Sequence, residues 1–262
     1  CLIKPGPGRF VAYIDWSQQE LGIAACLSGD AKMVAAYQSG DPYLEFAKMA
    51  GAVPDAATKV SHPDKRSLYK KCMLAVQYGM AAKSLAEQIG EIYPVGKHLL
   101  QKHRDTFPVY WAWSEKIQNT GFGTGILETS LGWRRRVMAD DKPASVRNFP
   151  VQANGAEMLR LAIMFLQDDG IDVCAPVHDA VVIEGPLERQ EEIVSRAQKL
   201  MRRASEIILP NLPLESDVKV VQYPNRFYDE DRGKTFWEEL MKELKSVETL
   251  ARAGNKDTLI RQ

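Results

Sequence analysis

Residues 10–21 read Phe10-Val11-Ala12-Tyr13-Ile14-Asp15-Trp16-Ser17-Gln18-Gln19-Glu20-Leu21, and they decide how the chain is read. A short apolar run follows the loop Lys4-Pro5-Gly6-Pro7-Gly8. Its length and its Pro and Gly flanks predict a buried strand over Phe10–Ile14. The strand stops at Asp15, and helical spacing begins near Gln18. Taken alone, a carboxylate between strand and helix reads as a helix N-cap. It carries more meaning only if a second carboxylate reaches the same sheet end.

Working outward, Ala175-Pro176-Val177-His178-Asp179-Ala180-Val181-Val182-Ile183 supplies that candidate. Apolar strands on both sides put His178-Asp179 at a hairpin tip. Alone, Asp179 is an ordinary turn residue. Pro176 cannot donate to a ladder, so its strand is predicted to be an edge. Two strand-end carboxylates far apart in sequence can meet on adjacent strands. Such a pair can hold two Mg²⁺ ions, which activate an attacking hydroxyl and stabilise leaving pyrophosphate in an in-line displacement.

Between them lies Lys65-Arg66-Ser67-Leu68-Tyr69-Lys70-Lys71-Cys72-Met73-Leu74-Ala75-Val76-Gln77-Tyr78-Gly79. Arg66, Lys70, Leu74 and Tyr78 recur every fourth residue and share one helix face. Two cations, an apolar side chain and an aromatic suit a nucleoside triphosphate, with phosphates at Arg66 and Lys70 and sugar and base at Leu74 and Tyr78. The plainer alternative is a solvated basic face.

The remaining pattern predicts helices over Gln18–Leu27, around Tyr43–Ala50, and over Asp64–Tyr78, Lys83–Ile89 and Val95–Asn119. Ile126–Thr129 and Trp133–Met138 read as short strands about a Leu131-Gly132 turn. A helix over Asn148–Asp168, β structure over Val173–Glu184, a helix over Glu188–Ile208 and a strand over Val218–Gln222 follow. A charged helix runs from Thr235. The predicted class is α+β: an antiparallel sheet backed by helices, with a helical subdomain inserted between its strands.

Composition bounds the reading without deciding it. The 262 residues, 45% hydrophobic and 26% charged, suit one core or two subdomains sharing one. Lys plus Arg and Asp plus Glu number 34 each, so a wholly basic nucleic-acid-binding surface is excluded and local clusters must supply positive potential. Cys1, Cys26, Cys72 and Cys174 form no CxxC pair and read as free thiols. No apolar run reaches the roughly 18 residues of a membrane span, and no signal peptide is visible, so a cytoplasmic location in a bacterial or phage-infected cell is expected.

Three motifs together resemble the family A, DNA polymerase I-like, DNA polymerases. Asp15-Trp16-Ser17-Gln18-Gln19-Glu20-Leu21 resembles their motif A, the Arg66–Gly79 helix motif B, and Val177-His178-Asp179 motif C, in the family order. The likeness runs from about Phe10 to Trp237. It implies a palm at 1–23, fingers at 24–125 and palm again at 126–262. It implies template-directed DNA synthesis from primer–template DNA and deoxynucleoside triphosphates, using two Mg²⁺ ions or Mn²⁺ as substitute.

Carried over residue by residue, the resemblance gives Asp15, Asp179 and the Trp16 carbonyl to the metals. It makes Glu20 the steric gate against ribonucleotides and puts Gln18 near the triphosphate. Tyr43 stands where the family usually has a triphosphate-contacting His. Arg66 and Lys70 bind phosphates, and Lys70 is the candidate general acid toward pyrophosphate. Tyr78 guards the templating position. Asn148 and Gln152 touch the duplex minor groove. Arg134, Arg135, Arg147 and His178 complete the implied DNA contacts.

The chain departs from the pattern at three positions. Ala180 replaces the Glu usual after His-Asp, Leu74 replaces an aromatic that shapes sugar discrimination, and Tyr43 replaces His. The family also has a thumb and a 3′–5′ exonuclease domain before motif A, and neither fits ahead of Asp15. The expectation is an N-terminal partner polypeptide or a longer parent chain, with weak DNA grip without it. Cys1 is the residue that protein splicing leaves after a splice junction, one expected origin of this start. The texture is phage-like. A single-subunit phage-type RNA polymerase shares the Lys-Arg…Tyr-Gly helix and a His-Asp followed by a small residue, but Glu20 fills the space a ribose hydroxyl needs. A non-catalytic polymerase-like binding module would not need both carboxylates and both cations.

Overall fold

The computed structural model describes residues 3–228 and 233–259, with 249–259 as backbone only. Cys1 therefore lies outside the described residues, whereas Cys26, Cys72 and Cys174 are free thiols.

Strand β1 (Arg9–Trp16) is the centre of the fold. Its alternate residues Phe10, Ala12, Ile14 and Trp16 are at most 1% exposed, so one face is driven wholly into the core. It pairs antiparallel with β5 (Ala180–Pro186) on one side and β6 (Ser216–Gln222) on the other. β4 (Asp172–Val177) adds to β5, giving the order β4-β5-β1-β6. Pro176 thus sits on an edge strand, where its missing N–H breaks no ladder. Helices α8 (Pro143–Asp168) and α9 (Gln190–Ile208) pack together and against the sheet.

Seven helices are inserted after β1: α1 (Gln19–Ser28), α2 (Ala31–Gln38), α3 (Pro42–Met49), α4 (Pro63–Gln77), α5 (Ala82–Ile89), α6 (Tyr93–Thr106) and α7 (Pro108–Thr124). The two-stranded hairpin β2 (Ile126–Glu128) and β3 (Arg134–Arg136) follows. The class is the α+β arrangement that the pattern predicts. Helix α10 (Gly233–Leu259) comes last, mostly exposed over 234–248, with Arg226 over the Trp237 ring at 4.4 Å. Among the described residues, no helix is long and apolar enough to cross a membrane.

Local boundaries differ from expectation where one residue intervenes. The single helix expected over Val95–Asn119 is two, because Pro108 pushes Phe107 out of helical backbone (φ −120°, ψ 60°). Helix α2 escapes the periodicity because it has only eight residues. It is started by Asp30, 2% exposed, whose Oδ1 accepts from the Lys32 and Met33 amides. Its Oδ2 accepts from the Val109 and Tyr110 amides, tying the start of α7 to α2 with one carboxylate. Helix α8 begins at Pro143 rather than Asn148 because Pro suits the first helical turn. The β2–β3 turn is held by buried Glu157 of α8, which accepts from the Thr129 hydroxyl at 2.7 Å and the Leu131 amide at 3.3 Å.

Candidate active site

Asp15 is the last residue but one of β1, and helix α1 is capped by Gln18 without a side-chain bond. The N-cap role open to Asp15 in the sequence is therefore not taken. In register, Asp15 pairs with Ala180 on β5 and with Asp217 on β6. Residues directly opposite on paired strands point to the same face. Asp179 immediately precedes Ala180 in the β4–β5 turn, so Asp15 and Asp179 meet at one end of the sheet.

The electrostatics agree with that proximity. The Asp15 carboxyl is pushed up to about 7, first by burial, then by the charge and hydrogen bonding of Asp179, then by the charge of Asp217. Its Oδ1 is buried and has no hydrogen-bond partner. Tyr13, two residues earlier, is also raised, by burial first and then by Asp15 and Asp179. An orphaned buried carboxylate oxygen beside a second carboxylate fits a divalent cation. Among the described residues, no group of three or more His, Cys, Asp or Glu is arranged to hold a metal. The donor set is therefore the Asp15–Asp179 pair, with backbone, substrate and water oxygens to complete it, which is how Mg²⁺ is usually bound.

Among the described residues, two that are not glycine adopt positive φ, Gln18 at 46° and His178 at 56°. They flank the carboxylate pair, three residues after Asp15 and one before Asp179. Such conformations cost roughly 1–3 kcal/mol each and concentrate at functional sites.

Across a cleft of about 600 Å³ from the sheet end stands the α4 face. Gln18, Glu20, Tyr43, Leu74, Tyr78, Gln152, His178 and Asp179 all line it. Glu20 and Tyr78 both line it; burial raises the Glu20 carboxyl, the neighbouring Tyr78 opposes this, and Asp179 adds to it. The Arg66 guanidinium lies 5.6 Å from the centre of the Tyr43 ring, and the Lys70 ammonium 5.7 Å. Arg66 also donates from Nε to Asp41 Oδ2 at 2.5 Å, while Asp41 Oδ1 accepts from the Leu44 amide to cap α3.

Other expected contacts lie apart from this cleft. Arg147 and Asn148 line a second cavity of about 240 Å³ with Arg104, Tyr110 and Trp111. Gly79, which ends α4 with φ 66°, packs against Ala144 there, and a side chain at that glycine would collide with it. Arg134 is exposed on β3 and paired with Glu128 at 2.6 Å. Arg135 is turned inward to Asp141 and Ser145.

Sequence reading missed Asp217, which accepts from the Ser17 hydroxyl at 2.7 Å, and Asp41. For Asp41 a signal existed, since Asp before Pro42 is a helix-start signature. It also missed Gln19 and Gln77, which line the same cleft.

Two carboxylates thus share one end of an antiparallel sheet, and a cleft lined by Leu74, Gln77 and Tyr78 lies beside Asp179. Residues 1–223 match the family model for DNA polymerase family A, and the chain belongs to that family. It is 31% identical over 217 residues to the thermostable DNA polymerase I of Thermus aquaticus, covering 78% of this chain and 26% of that protein. It is 27% identical over 204 residues to the DNA polymerase of Mycobacterium phage L5, covering 77% and 32%. The chain thus spans about a quarter to a third of these relatives. In fold it is similar to the POL domain of Pol1 from M. smegmatis, solved in complex with DNA primer-template and dNTP. The TM-score is 0.72 at 24% identity, covering 83% of this chain and 40% of that one.

Proposed function

We propose that the chain is the catalytic core of a template-directed DNA polymerase, adding deoxynucleotides to a primer 3′-hydroxyl. The observation that carries this reading is that Asp15 lies opposite Ala180, beside Asp179 at one sheet end, with a buried Asp15 oxygen left unbonded. Family membership and the relatives' names support it. In this reading 1–23 and 126–262 form the palm and 24–125 the fingers.

Asp15, Asp179 and the Trp16 carbonyl would hold two Mg²⁺ ions, with Mn²⁺ as substitute. Bound there, the ions would supply charge stabilisation for an in-line displacement and lower the pKa of the attacking hydroxyl. The chain's own residues do the rest. Arg66 and Lys70, both near the Tyr43 ring, bind the triphosphate, and Gln18 contacts it from the cleft lining. Lys70 holds a proton for the leaving pyrophosphate. Leu74 and Tyr78 form an apolar and aromatic floor for the sugar and base. Glu20, in the same cleft as Tyr78, would occupy the space a ribose 2′-hydroxyl needs. Gln152 and His178 face the primer end from the same cleft, while Arg134, Arg135, Arg147 and Asn148 take duplex and template. The balanced net charge supports a partner for duplex grip, an N-terminal thumb polypeptide or parent-chain segment.

The test is extension of a labelled primer with Mg²⁺ and one deoxynucleotide at a time, on templates differing at the first unpaired base. Addition only of the complementary nucleotide is expected. Addition independent of template, or of ribonucleotides in preference, contradicts the reading and favours the RNA polymerase alternative in the second case.

A further inference from the structure

Two glutamines on different helices converge on the nucleotide cleft without any bonding partner inside the protein. Gln19 is the first residue of α1 and Gln77 the last of α4. They are 6% and 8% exposed, and both line the cleft. The side-chain nitrogen of each is buried and makes no hydrogen bond. A buried amide donor left unpaired is disfavoured against an apolar side chain of the same shape, and native proteins rarely tolerate one without a use for it. Here two occur together.

Their placement indicates what they await. Gln19 adjoins Glu20 and Gln77 adjoins Tyr78 in sequence, and all four line the same cleft. The glutamines therefore flank Glu20 and Tyr78, which, on the function proposed above, lie beneath the nucleotide sugar. Gln19 is given room by Gly155 of α8, where a Cβ would come within 2.8 Å of Gln19 Oε1. Gln152, one turn earlier on α8, lines the same cleft. The sugar side of a base pair is its minor-groove edge. Purine N3 and pyrimidine O2 stand there as acceptors in every Watson–Crick pair. A terminal amide torsion is broad, so either amide can turn toward the cleft without moving its stem.

We propose that Gln19 and Gln77 are specificity residues that donate amide hydrogen bonds to the minor-groove acceptors of the base pair formed in the cleft. This rests on the polymerase reading. Donors at these positions check the shape of the pair without preferring a sequence, and the pair supplies the partners the free protein lacks.

The experiment compares the unmutated chain with Gln19→Met and Gln77→Met, each of nearly unchanged shape. Single-nucleotide insertion is measured with dGTP against 3-deaza-dGTP, which lacks the N3 acceptor, and with 3-deazaguanine in the template opposite dCTP. The first arm reports the incoming base and the second the templating base. The unmutated chain should lose about tenfold in kcat/KM in at least one arm, the scale of a single net hydrogen bond. The variant lacking the matching donor should show no further loss from the analogue. Both variants should melt at or above the temperature of the unmutated chain, because an unpaired buried amide has been removed. Equal analogue penalties in all three proteins would overturn the proposal, as would variants that melt several degrees lower with unchanged discrimination. Failure of the unmutated chain to insert natural dGTP would instead sink the polymerase reading and the proposal with it.

Discussion

Asp15 stands directly across the sheet from Ala180, so Asp179, one residue earlier at the hairpin tip, shares its end of the sheet. Neither residue is exceptional in its own segment. The antiparallel register of β1 and β5 makes them a pair. On the other side of β1, the register sets Asp217 of β6 opposite Asp15, away from Ala180.

That crowding predicts a pH dependence of stability. The Asp15 carboxyl lies near 7 in the folded chain and near 3.8 unfolded. Between those values the folded state binds the extra proton. The contribution is therefore complete below about pH 4 and is lost as pH rises through 7. In metal-free buffer, Asp15→Asn should flatten the fall in melting temperature over that window. Added Mg²⁺ should stabilise the unmutated chain more at pH 8 than at pH 6. Parallel melting curves for the two proteins across the window would contradict this.

Asp217→Asn should bring the Asp15 midpoint below 7, since one of the charges raising it is gone. The Ser17 hydroxyl can still donate to the Asn oxygen, so the strand contact survives. Carboxyl ¹³C chemical shifts across a pH titration read the midpoint directly. An unmoved midpoint would mean that Asp217 does not act on Asp15.

On the proposed function, Asp41 competes with a triphosphate for the Arg66 guanidinium. Asp41→Asn keeps a good N-cap on α3 and removes the competing charge. Its KM for deoxynucleotides should fall by about two- to fivefold, the scale of a partly exposed ion pair. Arg66→Ala should raise KM by about tenfold or more, because charge-assisted contacts to phosphate are lost. Steady-state insertion kinetics distinguish the two; a KM raised by both substitutions would assign Asp41 to holding Arg66 in place.

Glu20→Ala should raise ribonucleotide insertion relative to deoxynucleotide insertion by about tenfold or more, since it opens the space beside the sugar. The paired measurement is kcat/KM for ATP and dATP on one template. An unchanged ratio removes Glu20 from sugar discrimination.

Features set by local chemistry were legible in the sequence. The strand before Asp15, the hairpin at His178-Asp179 and the four-residue rhythm of Arg66, Lys70, Leu74 and Tyr78 each follow from a few neighbouring residues, and each is present. The edge position of Pro176 follows from one missing donor. Asp217 was not legible, because its segment alternates like any half-buried strand and only pairing with β1 brings it to Asp15. Gln19 and Gln77 read as polar helix residues with no sign of burial. The enclosure of Gln19 depends on α8 packing against α1, a consequence of long-range packing. The break at Pro108 was present in the sequence, but apolar periodicity on both sides concealed it.

The central claim is that Asp15 and Asp179 act as one site. The most direct test is primer extension in Mg²⁺ by the unmutated chain, Asp15→Ala and Asp179→Ala, each confirmed as folded by its melting transition. Template-directed extension by the unmutated chain and its loss by at least about a thousandfold in both variants is the predicted result, the scale of removing a principal catalytic electrostatic interaction. Extension at the unmutated rate by either variant would contradict the account.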